Sequence, residues 1–305
     1  MLTGVVKSLR AQLQQHFPVF YRRAPDFWQL MRMHRPIGIF LLLWPTLWCL
    51  WVAGKGTPSL GNIVIFTLGT VCMRAAGCCI NDYADRNFDR HVKRTALRPI
   101  ATGKIKAKEA LICCAALCVL AFLLVLMTNK QTIVLSGGGL LLALIYPFMK
   151  RHTHLAQVVL GAAFSWGGVM AFTAEAGELP PGAWLFYIGN VLWTVVYDTE
   201  YAMVDRDDDL LIGVKSTAIL FAEADKVIIG VLQVLCLWTL LLAGRQFDLQ
   251  PPYYIALGLA GLQFAWQQHL IRNRDRELCF RAFLQNNYVG LTIFAGTVLS
   301  FLLAQ

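Results

Sequence analysis

Charge is scarce in this chain. Only 15% of its 305 residues are Asp, Glu, Lys or Arg, against about 25% in soluble domains. With 57% hydrophobic residues, that shortage excludes an ordinary soluble fold and points to an integral membrane protein. Acidic residues are the scarcest: 18 Asp and Glu stand against 27 Lys and Arg, a formal net charge of +9. In an apolar chain such a surplus reads as membrane topology, not as affinity for nucleic acid, and no nucleic-acid partner is expected. Zinc-type thiol spacing is lacking too. None of the nine cysteines forms a C-x-x-C pair, so they read as small apolar fillers. There is no signal-peptide pattern, because the first apolar run begins only near Ile37, after a basic stretch. An Arg- and Ser-rich, acid-poor transit segment is also missing, which favours a bacterial inner membrane over a mitochondrial inner membrane.

What is present is a series of nine apolar stretches of near-bilayer length, at about 37–54, 60–80, 109–128, 132–149, 155–174, 182–197, 226–243, 252–271 and 284–304. The expected fold is all-α: a polytopic membrane bundle of nine transmembrane helices with cytoplasmic cap loops. Residues 1–36, aromatic and basic together, read as an amphipathic interfacial segment. Residues 37–305 then form one domain, with cap segments at about 81–108 and 198–225. With this layout 23 of the 27 Lys and Arg fall on one side, which the positive-inside rule makes cytoplasmic.

Against this background two acidic segments stand out. Asn81–Asp89 reads NDYADRNFD and 198–209 reads DTEYAMVDRDDD, and together they hold nine of the 18 acidic residues. Each follows an apolar span. On a helix of 3.6 residues per turn, Asn81, Asp85 and Asp89 share a face, joined by Asp82, as do Asp198, Tyr201, Asp205 and Asp209. Stacked carboxylates repel, more so at low dielectric, and the pattern makes sense if a cation sits between them. All-oxygen ligands suit Mg²⁺, which keeps several waters and is commonly shared with substrate phosphates. The predicted ligands are Asn81, Asp82, Asp85, Asp89, Asp198, Asp205 and Asp209, and a diphosphate bridged between the two segments follows.

Cations surround the clusters. Arg86, Lys93, Arg94, Lys150 and Arg151 are placed to contact phosphate oxygens, Arg by paired N–H groups and Lys as a point charge. Arg74 lies within an apolar run, and an ionisable residue at that depth marks a functional site. Arg32 stands where the first span begins and reaches toward the same region. A Mg²⁺–diphosphate site set in lipid implies a lipid diphosphate whose C–O bond ionises and whose cation needs a nucleophile sheltered from water, such as an electron-rich aromatic ring.

The stretches LMRMHRPIGIFLLLWPTLWCLW (30–51), RAAGCCINDYADRNFDRHVKRTALRPIATGKI (74–105), YPFMKR (146–151) and DTEYAMVDRDDDLLIGVKSTAI (198–219) resemble the UbiA superfamily of intramembrane prenyltransferases, and within it the 4-hydroxybenzoate polyprenyltransferase branch. The resemblance implies a nine-span fold with a central cavity open to lipid. It implies Mg²⁺-dependent transfer of a polyprenyl group from polyprenyl diphosphate to the ring carbon ortho to the hydroxyl of 4-hydroxybenzoate, as in ubiquinone biosynthesis. Asn81, Asp85 and Asp89 would serve one Mg²⁺–diphosphate site and Asp205 and Asp209 the other, with Arg74 or Arg32 on the acceptor carboxylate. Two alternatives stand beside this: a related enzyme with another aromatic acceptor, and a cation-coupled transporter.

Overall fold

The computed structural model describes residues 18–92 and 94–304. Residues 1–17 of the expected interfacial segment, and Lys93, lie outside them. The described residues contain helices and no strand: α1 (Pro18–Leu30), α2 (Ile37–Ala53), α3 (Leu60–Asp85), α4 (Ala107–Val125), α5 (Lys130–Met149), α6 (Ala156–Ala176), α7 (Ala183–Ile212), the short α8 (Thr217–Phe221), α9 (Asp225–Gln246), α10 (Pro251–Ile271) and α11 (Arg276–Leu302). Each of the nine apolar stretches is helical. Five helical stretches, Leu60–Asp85, Ala107–Val125, Lys130–Met149, Ala156–Ala176 and Thr217–Gln246, are long and apolar enough to cross a membrane.

Local chemistry sets the helix ends. Ser59 accepts the Asn62 N–H at 3.2 Å and Asn129 accepts that of Thr132 at 2.9 Å, while Asp275 accepts two N–H groups at 3.0 Å, so side chains meet the free donors of the first turn. At the other end α6 and α7 stop at Gly177 (φ 74°) and Gly213 (φ 71°), where a left-handed residue closes the last turn.

The core gathers α2, α6, α7, α10 and α11 around Trp48 and Trp193, whose rings lie 5.4 Å apart. Lipid tails are as apolar as these side chains, so close packing and hydrogen bonds hold the bundle together. Trp48 donates to the Gly290 carbonyl at 3.0 Å. A Cβ at Gly290 would stand 2.6 Å from Trp44 and 2.8 Å from Trp193, so only glycine lets α11 come this close. By contrast α4 and α5 barely touch each other, and both keep large apolar side chains exposed.

The first acidic segment departs from the helical reading. The α3 helix ends at Asp85, and Asp89 sits instead on a 3-10 turn, Asp89–His91. Side chains take the carbonyls a further turn would need: Arg86 donates to Tyr83 at 2.7 Å and Arg151 donates to Ala84. Asn81 and Asp85 therefore share a helix and Asp89 reaches them from a loop. The second segment lies wholly within α7, which runs unbroken for 30 residues.

Candidate functional site

A cavity of about 700 Å³ opens between α2, α3, α4, α5, α6 and α7. Along α3 it is lined by Phe66, Thr70, Met73, Gly77 and Asn81, one helical stripe at three- and four-residue steps. Asn81 and Asp82 of the first acidic segment and Asp198 and Tyr201 of the second face this same space. The two segments thus share one chamber. Phe122 of α4 and Leu140 of α5 also line it and are 47% and 38% exposed, so its apolar end is open at the side where these two helices part.

The face of α7 turned away from the cavity is pinned by hydrogen bonds. Trp193 donates to Asn286 at 2.8 Å, Asn286 donates to the buried Glu200 at 2.8 Å, and Thr199 meets Thr217 at 2.7 Å. With Thr199 and Glu200 held there, Asp198, Tyr201 and Asp205 fall on the opposite side.

Cations compose the first cluster. Asp82 accepts from Arg32 at 2.7 Å. Arg98 lies 3.1 Å from Asp82, 3.0 Å from Asp89 and 4.0 Å from Asp85, and so draws all three carboxylates together despite the break in the helix. Lys150 pairs with Asp85, which also accepts from Asn81 at 3.2 Å. Arg32 itself adopts a left-handed backbone (φ 58°), uncommon for a residue with a Cβ. Burial pushes the Asp89 carboxyl up to about 6, against the pull of Arg98.

In the second cluster Arg94 reaches across from the loop after α3. It donates from Nε to both Asp205 oxygens at 3.0 and 3.1 Å and lies over the Tyr201 ring at 4.5 Å. Asp209 makes no ion pair among the described residues, and burial, reinforced by the Asp205 charge, pushes it up to about 7. Asp207 and Asp208 turn away to Arg276, at 2.9 and 3.4 Å.

Two of the expected phosphate contacts are engaged elsewhere. Arg86 folds over the Tyr83 ring at 4.4 Å, and Arg151 packs against Phe88 and Phe148. Neither lines the cavity. Arg98, absent from the residues expected at the site, holds its centre. Its signal in the sequence was only its place in the basic run after the first segment.

Arg74 differs from the paired arginines of the site, Arg32, Arg94 and Arg98. It projects into the cavity, with the Phe164 ring 5.7 Å from its guanidinium. Its Nε is buried without a hydrogen-bond partner, and no carboxylate lies within ion-pair distance of it among the described residues. A guanidinium so placed has an uncommitted fork for a planar carboxylate.

No group of three His, Cys, Asp or Glu side chains converges tightly on one point among the described residues. Yet Asp82 Oδ2 and Asp85 Oδ1 are buried with no partner. Hard, orphaned carboxylate oxygens beside an open cavity fit a Mg²⁺ ion that takes its remaining ligands from water and phosphate.

Known proteins share the family and the fold. The family model described as "UbiA prenyltransferase family" matches residues 42–293. A "4-hydroxybenzoate octaprenyltransferase" of Pseudomonas fluorescens (strain Pf0-1) is 64% identical over 92% of this chain and 95% of its own length. One of Ectopseudomonas mendocina (strain ymp) is 60% identical over 96% and 99%. Among solved structures, a UbiA homolog from Aeropyrum pernix K1 superposes with a TM-score of 0.75 at 24% identity, covering 85% of this chain and 97% of its own. A UbiA homolog from Archaeoglobus fulgidus bound to GPP and Mg²⁺ gives 0.67 at 17% identity, covering 90% and 99%. Both share the fold.

Proposed function

The chain belongs to the UbiA prenyltransferase family, and from that premise we propose that it transfers a polyprenyl group from polyprenyl diphosphate to 4-hydroxybenzoate, at the ring carbon ortho to the hydroxyl. The observation that carries this reading is one chamber lined by both acidic segments, with the uncommitted Arg74 guanidinium inside it. The relatives named for 4-hydroxybenzoate support the acceptor.

Each group then has a task. Asp82 and Asp85 present the oxygens that would hold Mg²⁺, with Asn81, Asp89, Asp205 and Asp209 completing the two sides. Magnesium, when bound, neutralises the leaving diphosphate and eases ionisation of the allylic C–O bond. Arg94, Arg98 and Lys150 stand where phosphate oxygens would meet them. Tyr146, Phe164 and Tyr197 line the wall that shields the allylic cation from water. Arg74 grips the acceptor carboxylate and so aims the ring; Arg32, committed to Asp82, does not. Asp198 lines the cavity without an ion pair and takes the ring proton.

The same reading places all nine long helices across a bacterial inner membrane, with the N-terminus, the site and the cap segments about 81–108 and 198–225 on the cytoplasmic side. The basic residues gathered on that side support it. Of the interfacial segment, the described part 18–36 lies on the membrane surface, and the nine apolar stretches that follow form one domain.

The test is incorporation of labelled 4-hydroxybenzoate into lipid by membranes containing the protein, read as product mass. A prenylated 4-hydroxybenzoate that forms only with Mg²⁺ is expected. No such product with any chain length, or equal yield in chelator, overturns the reading.

A further inference from the structure

Three glycines recur on α3 at eight-residue intervals: Gly61, Gly69 and Gly77. A Cβ added at any of them meets no atom within 4 Å. Their surroundings differ, because Gly69 and Gly77 line the cavity and Gly61 does not. Gly138 shows the other use of glycine, since its Cβ would come within 2.8 Å of Trp166. There a neighbour needs the room. At Gly69 and Gly77 no protein group claims it, and both sit in helix interior, where glycine is unfavourable.

Distances along the helix grade the three. At 1.5 Å per residue, Gly77 lies about 6 Å from Asn81, Gly69 about 18 Å and Gly61 about 30 Å. An extended carbon chain advances about 1.2 Å per bond. A ten-carbon prenyl donor therefore reaches about 10 Å, past Gly77 and short of Gly69, whereas a forty-carbon donor reaches about 38 Å, past both and past the level of Gly61, which lies off the cavity lining.

We propose that Gly77 and Gly69 determine donor chain length: the prenyl tail lies along α3, and the two missing side chains keep its lane clear, Gly77 for every donor and Gly69 only for long ones. This rests on the prenyl-transfer reading above.

The experiment compares the purified full-length protein with Gly61→Leu, Gly69→Leu and Gly77→Leu. Each is assayed for kcat/KM with ten- and forty-carbon diphosphates. Gly69→Leu is expected to lower the forty-to-ten-carbon preference at least about tenfold, and Gly77→Leu to lower both donors by about that factor. Gly61→Leu should move neither by more than about twofold. A Cβ at each position meets no atom within 4 Å and leucine favours the helix over glycine, so all three are expected to melt at or above the parent's temperature, and a variant that melts lower is compared by donor ratio alone. Stabilisation of each variant by the two donors with no acceptor present makes the same comparison, so a wrong acceptor leaves the lane readable. An unchanged preference in Gly69→Leu, or equal loss of both donors there, overturns the proposal.

Discussion

In the first acidic segment every aspartate meets a cation from elsewhere in the chain: Asp82 meets Arg32 and Arg98, Asp85 meets Lys150, and Asp89 meets Arg98. In the second, on the face that Asp198 shares with Asp205 and Asp209, only Asp205 makes an ion pair among the described residues, with Arg94. The first set is spread over a helix end and a loop and is held by charge. The second stands on one straight helix and is held by its backbone. The difference shows that similar acidic motifs reach a shared cavity by separate physical routes. Burial pushes both up: Asp209, which makes no ion pair among the described residues though Lys150 and Arg94 pull it down, to about 7, and Asp89, paired with Arg98, to about 6.

The largest effect expected is loss of either half. Asp85→Asn and Asp205→Asn should each lower kcat by about two to three orders of magnitude, the scale of losing one group that stabilises transition-state charge. The measurement is labelled product per minute. Near-normal turnover in either one would show that a single segment suffices.

Next comes Arg74. Arg74→Met removes a charged hydrogen-bonding fork worth about 1.5–3 kcal/mol, which corresponds to roughly 10- to 100-fold. The rise should fall on the acceptor KM, with the donor KM little changed. In Arg32→Met the donor side should suffer instead. A reversed pattern would exchange the two arginines' roles.

A smaller, graded effect comes from pH. Protons compete with Mg²⁺ at both raised carboxyls, so Mg²⁺ affinity measured by calorimetry should rise with pH between 5.5 and 7.5, by about tenfold per unit for each group still protonated. Stability has the opposite sign. In chelator, a carboxyl whose folded value exceeds the ordinary value of about 3.9 adds stability below pH 4 that is lost as pH rises through about 6 for Asp89 and about 7 for Asp209. Melting temperature in chelator should therefore fall across that window. Replacing Asp89 with Asn should remove the lower part of the fall and Asp209→Asn the upper.

The smallest effect should come from Asp207→Asn and Asp208→Asn. Both side chains turn to Arg276; the Asp207 pair is exposed and such pairs contribute about 0–1 kcal/mol, and Asp208, though half-buried, lies off the cavity lining. Turnover should change less than about threefold. A larger loss would extend the second cluster beyond the cavity face.

Much of this was readable from spacing. The apolar stretches all emerged as helices, because a backbone in lipid must satisfy its own polar groups. The face of α7 bearing Asp198, Tyr201 and Asp205 followed from 3.6-residue periodicity. Asp89 did not, since the end of α3 depends on Arg151, 67 residues from the carbonyl it takes. Arg98 was hidden for a related reason: its value lies in a loop fold that periodicity does not encode. Nor could residue type tell which arginines are occupied. Arg86 and Arg151 turn to helix carbonyls and aromatic rings, and Arg74 faces the chamber buried and without an ion pair among the described residues.

The clasp between Arg94 and Asp205 joins residues 111 positions apart. During synthesis at about 5–20 residues per second, roughly 6–22 s separate the emergence of the two. For that interval the nascent chain carries the basic loop with its carboxylate partner still unmade, so closure of the cap is an event of late biogenesis, and a ribosome stalled anywhere between them leaves a half-built bundle whose arginine is free for anionic lipid headgroups.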